Sequence, residues 1–372
     1  MPTTPQEKDN ITRWNPLKKG FFEVYDLTWN DPSQKIAGWF RYTLLARQTG
    51  EPEASVLGVF FDSQNADNNT VIRKTYTLHE MRIEKEIFYF SAGPSAIFET
   101  GTRGGLADEK NKMSWELKYG ESALSLRHLP TPLYLGGFPK TKIMSPYFSG
   151  KISGDFTLND RSFSLHDLPA RQSHLWGTGQ SNAWTWGGSN AFEEDPDFCF
   201  EGLSTEVMIA DRTAPPMTLL FFHWEGKTYR FNSPIHWIKN VSRFESHQPQ
   251  SGVEGAMRAP VIIRWHFEAE APGLRFVGNL SADTQEMVRI RDEDPTGGER
   301  FHHATRVATA KISILRRNKS GWQLIKELTA PKMAAFEVAQ PTASYFSTQT
   351  NPWDPGRIFR SGLSPLAKSN PL

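Results

Sequence analysis

A single cysteine, Cys199, stands in 372 residues, which excludes an internal disulfide framework and any multi-cysteine metal cage. It sits in the alternating run FCFEG and reads as a small buried hydrophobe rather than a nucleophile. No apolar run approaches the roughly 18 residues of a membrane-spanning helix. The start, MPTTPQEKDNITRWNPLKKG, is polar and lacks the apolar stretch of a secretory signal. The expectation is a soluble, cytoplasmic protein with no integral membrane segment. Charge of one sign is also missing, because Lys plus Arg number 42 and Asp plus Glu 41. Nucleic acid and anionic lipid are therefore not predicted as partners.

Catalytic signatures are equally scarce. There is no Gly-x-Ser-x-Gly elbow, and Gly104-Gly105 and Gly297-Gly298 lack the strand-to-helix setting of a phosphate loop. The histidines show neither a helical i, i+4 pair with a glutamate nor a His-x-His strand spacing, and His302 and His303 are adjacent, so their side chains diverge in a strand. No metal and no cofactor is expected. Glu193-Glu194-Asp195-Pro196-Asp197 offers carboxylates for calcium or a glycosidase pair, against the plainer reading of a solvated turn.

What is abundant is aromatic surface, with 12 Trp and 25 Phe. Aromatic and β-branched residues favour strands, long i, i+3, i+4 apolar patterns are few, and no short repeat marks a propeller or solenoid. The class is all-β. Residues 1–20 read as an unpaired tail, and FFEVYDL begins the strands. Strand-like runs follow at KIAGWFRYTLLAR, ASVLGVFFD, TVIRKTYTLHEMRIEKEIFYF, FCFEGLSTEVMIA, MTLLFFHWEGKTYRF, IHWIKNVSRFES, VIIRWHFEAE and LRFVGNL. Hairpins are predicted at Tyr119-Gly120-Glu121-Ser122, Asn159-Asp160, Glu225-Gly226 and Asn318-Lys319-Ser320-Gly321. ETGTRGGLADEKNK reads as a polar loop, 129–150 as a long Pro- and Gly-rich crossing, MAAFEV as a short helix, and 341–372 as an extended tail. Curved sheets that close on themselves enclose cavities, so a pocketed protein is expected.

The densest chemistry lies between Phe163 and Phe192, FSLHDLPARQSHLWGTGQSNAWTWGGSNAF. Trp184 and Trp186 share one face of a strand, while Ala183, Thr185 and Gly187 give the other face only small groups. Together with Trp176 they form either a ligand wall or packed core. Pro169 breaks the segment between Asp167 and His174, and an acid desolvated by Trp176 there can protonate an alkene or activate water. The alternative is that Asp167 pairs with Arg171 and His174 donates to a backbone carbonyl. His223, His236 and His266, each beside a Trp in apolar strands, are satisfied core histidines or the polar end of a cavity.

ISGDFTLNDRSFSL, then HDLPARQSHLWG, then AWTWGGSNAF, resembles the central segment of the tocopherol cyclase and carotenoid 1,2-hydratase (hydroxyneurosporene synthase) group of lipocalin-like proteins. The matching positions are Gly154, His174, Trp176-Gly177, Trp184-Thr185-Trp186 and Asn190-Ala191-Phe192, and the likeness spans residues 152–192. Ser173 stands where the pattern has an acidic residue before the histidine; the nearest acid is Asp167. The resemblance implies two lipocalin-like antiparallel β-barrel or curved-sheet domains packed together, here 21–175 and 176–340. It also implies isoprenoid- or polyketide-like ligands and cofactor-free, acid-driven hydration or cyclisation of a double bond. On that reading Asp167 or His174 supplies the proton, and Trp176, Trp184, Trp186, Asn190, Phe192, His223 and His236 line the hydrophobic small molecule. A carrier without chemistry and a carbohydrate-binding or carbohydrate-active β-sandwich using Glu193 or Asp197 remain the other classes, and the oligomeric state stays open.

Overall fold

The structure, a computed structural model, describes residues 5–120, 124–181, 183–209, 212–247 and 261–340. The first sheet holds β1 (Phe21–Asp31), β2 (Ile36–Ala46), β3 (Glu53–Asp62), β4 (Thr70–Thr77), β5 (Met81–Ile83), β6 (Tyr89–Ala92), β7 (Ser95–Phe98), β8 (Gly101–Ala107), β9 (Lys112–Tyr119), β10 (Leu124–Arg127), β11 (Thr141–Leu158) and β12 (Arg161–Gly177). The second holds β13 (Trp184–Ser189), β14 (Cys199–Ile209), β15 (Arg212–Trp224), β16 (Lys227–Phe231), β17 (Val241–His247), β18 (Ile262–Ala271), β19 (Leu274–Asp283), β20 (Val288–Glu293), β21 (Glu299–Asn318) and β22 (Gly321–Gln340). Helices are short: α1 (Pro5–Asn10), α2 (Pro132–Leu135) and α3 (Pro234–Lys239). None among the described residues is long and apolar enough to cross a membrane.

Both sheets follow one wiring rule. The first runs β4-β3-β2-β1-β12-β11-β9-β8-β7-β6-β5 and the second β16-β15-β14-β13-β22-β21-β19-β18-β17. In each, the opening strand pairs antiparallel with the closing one, β1 with β12 and β13 with β22. The free edges are consecutive strands, so each sheet is a meander bent round on itself; the first is a nearly closed barrel and the second a curved sheet. Closure hides edges that would otherwise invite pairing with other chains.

Aromatics fill both interiors. Tyr25, Leu27, Trp29, Phe40, Tyr42, Phe60 and Phe156 pack inside the first sheet, and Phe200, Phe222, Trp265, Phe267 and Phe276 inside the second. Strand parity then turns the alternate residues outward. Trp39, Leu57, Val59 and Phe61 meet Val288, Ile290, Ala304 and Val307 in one apolar cluster that joins the sheets. Leu126, Leu129 and Phe148 meet Cys199, Met217, Leu219 and Phe221 in another. With one face on the core and the other on the second sheet, β1 and β2 are buried almost without interruption, polar residues included.

The predicted hairpins at Asn159-Asp160, Glu225-Gly226 and Asn318–Gly321 are present, with Leu158 opposite Arg161, Trp224 opposite Lys227 and Asn318 opposite Gly321. Several other expectations fail. The glycine-rich "loop" is β8, whose Gly101 and Gly104 let β9 approach; a Cβ on Gly101 would lie 2.0 Å from the Leu117 carbonyl oxygen. β9 and β10 do not pair with each other, since β10 lies on β11, and residues 121–123 fall outside the described set. The crossing at 129–150 contains α2 and the start of β11, and IHWIK is α3 rather than strand. TVIRKTYTLHEMRIEKEIFYF breaks at a 3₁₀ turn, Leu78–Glu80, and again at a bend over 84–88, into β4, β5 and β6. MAAFEV is strand, held between β13 and β21. Pro169 does not interrupt β12: it lies opposite Lys151 beside a register shift, where a missing N–H is tolerated.

The amino-terminal stretch is docked, not unpaired. Asp9, Asn10 and Trp14 are buried, because Glu23 on β1 collects Thr12 Oγ1 and the amides of Arg13 and Trp14 as donors at 2.6–3.1 Å. Residues 341–372 and 1–4 lie outside the described residues.

Candidate functional site

The outward faces of β1, β2, β12, β13 and β14 do not close on one another everywhere. Between the sheets they leave a cavity of about 720 Å³, within the size range of small-molecule sites. Phe22, Val24, Leu45 and Leu175 line it from the first sheet; Trp184, Trp186, Leu203, Met217 and Leu219 line it from the second. Loops 137–140 and 178–181, and the β20–β21 turn with its flanking residues Asp292, Glu293 and Arg300, also border it. The space lies between the two sheets, outside the aromatic cores of each.

Two buried ionic networks form its polar walls. In the first, Arg41 makes a two-pronged contact with Asp26, Nε to Oδ1 at 2.8 Å and Nη2 to Oδ2 at 3.1 Å, and reaches Asp292 at 3.3 Å. Arg306 donates to Glu337 at 2.5 Å and to Thr28 at 3.1 Å. Its guanidinium lies 4.0 Å from the centre of the Trp39 ring, whose Nε1 donates to Asp26 at 2.7 Å. His302, fully buried, sets Nδ1 3.0 Å from Asp292. Burial opposes charge on Asp292, yet His302 and Arg41 hold its carboxyl well below the usual range. Glu337 is lowered too, with Arg306 and Arg41 outweighing its burial.

The second network centres on Glu201, fully buried on β14. Oε1 accepts from His128 Nε2 at 2.7 Å and Trp186 Nε1 at 2.9 Å, Ser145 donates at 3.0 Å to Oε2, and Arg171 Nη2 also donates to Oε2. Burial alone would raise the Glu201 carboxyl, but Arg171, His128 and Trp186 hold it down to about 2. Gly188 makes room for this arginine: a Cβ there would stand 2.0 Å from Arg171 Nη1.

Of the residues predicted from sequence, Trp184 and Trp186 line the cavity, side by side on one strand face as their spacing implies. The others do not line it. Asp167 is exposed and pairs not with Arg171 but with Ser153, Oγ to Oδ1 at 3.1 Å. His174 points into the first barrel, where it stacks on Tyr25 and bonds Glu23 at 2.8 Å and the Asp9 carbonyl at 2.7 Å. Trp176 packs in the same core. Asn190 donates to the carbonyls of Gly150 and Ala170, both at 3.2 Å, and so ties the sheets together. Phe192 belongs to the second core. His223 bonds Thr228 and His236 bonds Ser233. Glu193 and Asp197 stand off the cavity, and no cluster of metal-ligating side chains occurs among the described residues. The Cys199 thiol is buried and pushed up to about 11.

The sequence reading missed Asp26, Arg41, Glu201, Arg306 and Glu337. Each is the single charge in its short run of apolar and small residues, as in YDLTW, WFRYT, CFEGL, TRVAT and AFEVA. Such a charge needs a buried partner, and that pattern was the available signal.

No protein-family model matches the chain, and no curated protein matches it. Among solved structures it is similar to a Nitrosomonas europaea protein described as AttH, at 10% identity and a TM-score of 0.49, over 86% of this chain and 92% of that one. The chain is an all-β protein of two curved antiparallel sheets with a cavity between them.

Proposed function

We propose that the chain holds an apolar small molecule, isoprenoid- or polyketide-like, between its two sheets, against Trp184 and Trp186. The observation that carries this reading is a cavity of about 720 Å³ walled by Trp184, Trp186, Val24, Leu45, Leu175 and Leu203, in which Asp26 pairs with Arg41 and Glu337 with Arg306. Carboxylates already paired to arginines have little left to offer a cationic ligand, whereas indole faces and aliphatic side chains suit an apolar one. A carbohydrate would need free polar groups on an open surface, and the two tryptophans are half-buried.

The test is solvent extraction and mass spectrometry of the purified protein. A lipophilic compound should accompany the wild type and be lost from Leu175→Trp, which fills the cavity. Equal recovery from both would sink the proposal.

Turnover is the second reading. Asp26 from the first sheet and Glu337 and the Trp186 indole from the second all line the cavity, where ring faces can orient and polarise an electron-poor π system. A cycloaddition guided by cavity shape fits this wall better than hydration or acid-driven cyclisation, because its new σ bonds form from π electrons, whereas the other two need a proton donor at the double bond. Asp167 and His174 do not face that space. Incubating the acyclic precursor of the extracted compound with the protein decides: formation of a ring product supports an enzyme, and unchanged precursor leaves a carrier.

A further inference from the structure

The chain is nearly neutral as a whole, with 42 Lys plus Arg against 41 Asp plus Glu, but the balance is not local. Residues 11–22, 122–154 and 226–244 contain basic residues and no Asp or Glu. These stretches are neighbours in the fold. Arg13 lies over Trp176 at 5.2 Å, and Tyr134 of α2 stacks on the same indole at 6.0 Å. Leu133 and Tyr134 of α2 and Trp237 of α3 pack against one buried cluster, and Asn232, just before α3, donates to the His128 carbonyl at 3.0 Å.

These elements carry five of the ten exposed large apolar residues among the described residues, including the three most exposed. Leu17 is 91% exposed, Leu135 88%, Ile238 81% and Ile235 56%. Lys18, Lys19, Lys140 and Lys239 are exposed among them. Apolar side chains standing in water and rimmed by lysines have the composition of an interfacial membrane surface. The position fits as well: Phe138, 43% exposed, borders the cavity, and Leu129, Met217 and Leu219 belong both to the cavity wall and to the cluster under the two helices.

We propose that this edge, made by residues 13–19, α2 and α3, docks on the surface of an anionic lipid bilayer, so that an apolar occupant enters or leaves the cavity from the lipid. The apolar side chains would sit at the acyl boundary and the lysines among anionic headgroups. The need for such an entry route rests on the proposed apolar ligand; the docking itself rests on the surface.

The test is co-sedimentation of the full chain with phosphatidylcholine vesicles, with and without phosphatidylserine. Binding is expected to the mixed vesicles and to weaken with added salt. Leu135→Asp with Ile238→Asp should lower the bound fraction about tenfold, and Lys19→Glu with Lys239→Glu should remove the preference for phosphatidylserine. All four side chains are exposed, and unchanged circular dichroism and urea midpoints confirm folding of the variants. Equal binding by wild type and the apolar double variant overturns the proposal. So does absence of wild-type binding, including the case where the double variant only converts a dimer to a monomer in gel filtration. If vesicle binding fails while a lipophilic compound still co-purifies, the docking surface falls and the cavity reading stands; vesicle binding without any co-purifying compound leaves the docking surface supported and counts against the cavity reading alone.

Discussion

Glu201→Gln is the sharpest perturbation of the site, because it keeps the size of the side chain and removes only a charge and an acceptor. In the native protein the carboxylate accepts from His128, Trp186, Ser145 and Arg171 with none of its own surface exposed. An amide brings one acceptor oxygen and two donor hydrogens into a ring of donors. If its oxygen faces His128 and Trp186, its NH₂ confronts Arg171; turned over, it confronts the other two. Arg171, about nine-tenths buried, is then a charge without a counter-charge. Breaking a buried pair from one side costs about 3–5 kcal/mol, a large part of a typical stability of roughly 5–15 kcal/mol. Urea unfolding followed by circular dichroism measures it. Adding Arg171→Met removes the stranded charge, so the double variant should regain at least about 2 kcal/mol over Glu201→Gln. A loss under about 0.5 kcal/mol for the single variant, or additivity in the cycle, refutes the idea that the wall is held by this ion pair.

Gly188→Ala should be destabilised by about 1–3 kcal/mol in the same assay, because its Cβ would lie 2.6 Å from the Phe200 carbonyl oxygen as well as against Arg171. Acid should weaken the protein in a defined window. The Glu201 carboxyl sits at about 2 when folded against 4.5 when free, so its contribution, roughly 3 kcal/mol, is complete above about pH 5 and is lost as pH falls toward 2; the lowered carboxyls of Asp292 and Glu337 add loss of the same sign. Unfolding free energies that stay flat between about pH 5 and pH 3 would contradict this. Asp167→Asn should change stability by less than about 0.5 kcal/mol, since the residue is exposed and Asn accepts its φ of 49°. His174→Ala should cost about 3 kcal/mol by leaving buried Glu23 short of a partner, and equal effects of the two substitutions would show the placement to be wrong.

The all-β class was legible because it depends on short-range signals: β-branched and aromatic alternation and the turn residues at Asn159-Asp160 and Asn318–Gly321. Errors came where tertiary contacts overrule them. ETGTRGGLADEKNK has the composition of a loop, yet Gly101 is there because a neighbouring strand passes within contact of its α-carbon. Pro169 reads as a break, yet its missing N–H falls beside an irregular register. The tail looks unpaired until Glu23, far from solvent, is seen to take its donors. In the site, the parity of Trp184 and Trp186 was readable from spacing alone. What their face looks onto was not, since that depends on side-chain contacts between sheets whose strands lie more than a hundred residues apart, as between Arg306 and Thr28.

The location of the cavity follows from the same alternation. A strand buried on one face can discard the other to solvent, but β1 and β2 are buried on both. Their inner residues, Tyr25, Leu27, Phe40 and Tyr42, complete the barrel core, leaving Val24, Asp26, Trp39 and Arg41 to meet the second sheet. Charges at such a contact are stable only if each finds a partner from the opposite or adjoining strand, and Arg41 with Asp26 and Asp292 does so across both sheets. Two convex faces cannot touch over their whole area, so the apolar clusters seal part of the contact and the ion networks brace the remainder. The cavity is the space left between them. Because its walls come from separate sheets, the bound molecule would itself bridge the sheets, and a ligand that fills the space should raise the stability of the whole chain by mass action. Thermal unfolding of extracted protein before and after return of the extracted compound reads this directly: an unchanged midpoint would place the compound somewhere other than between the sheets.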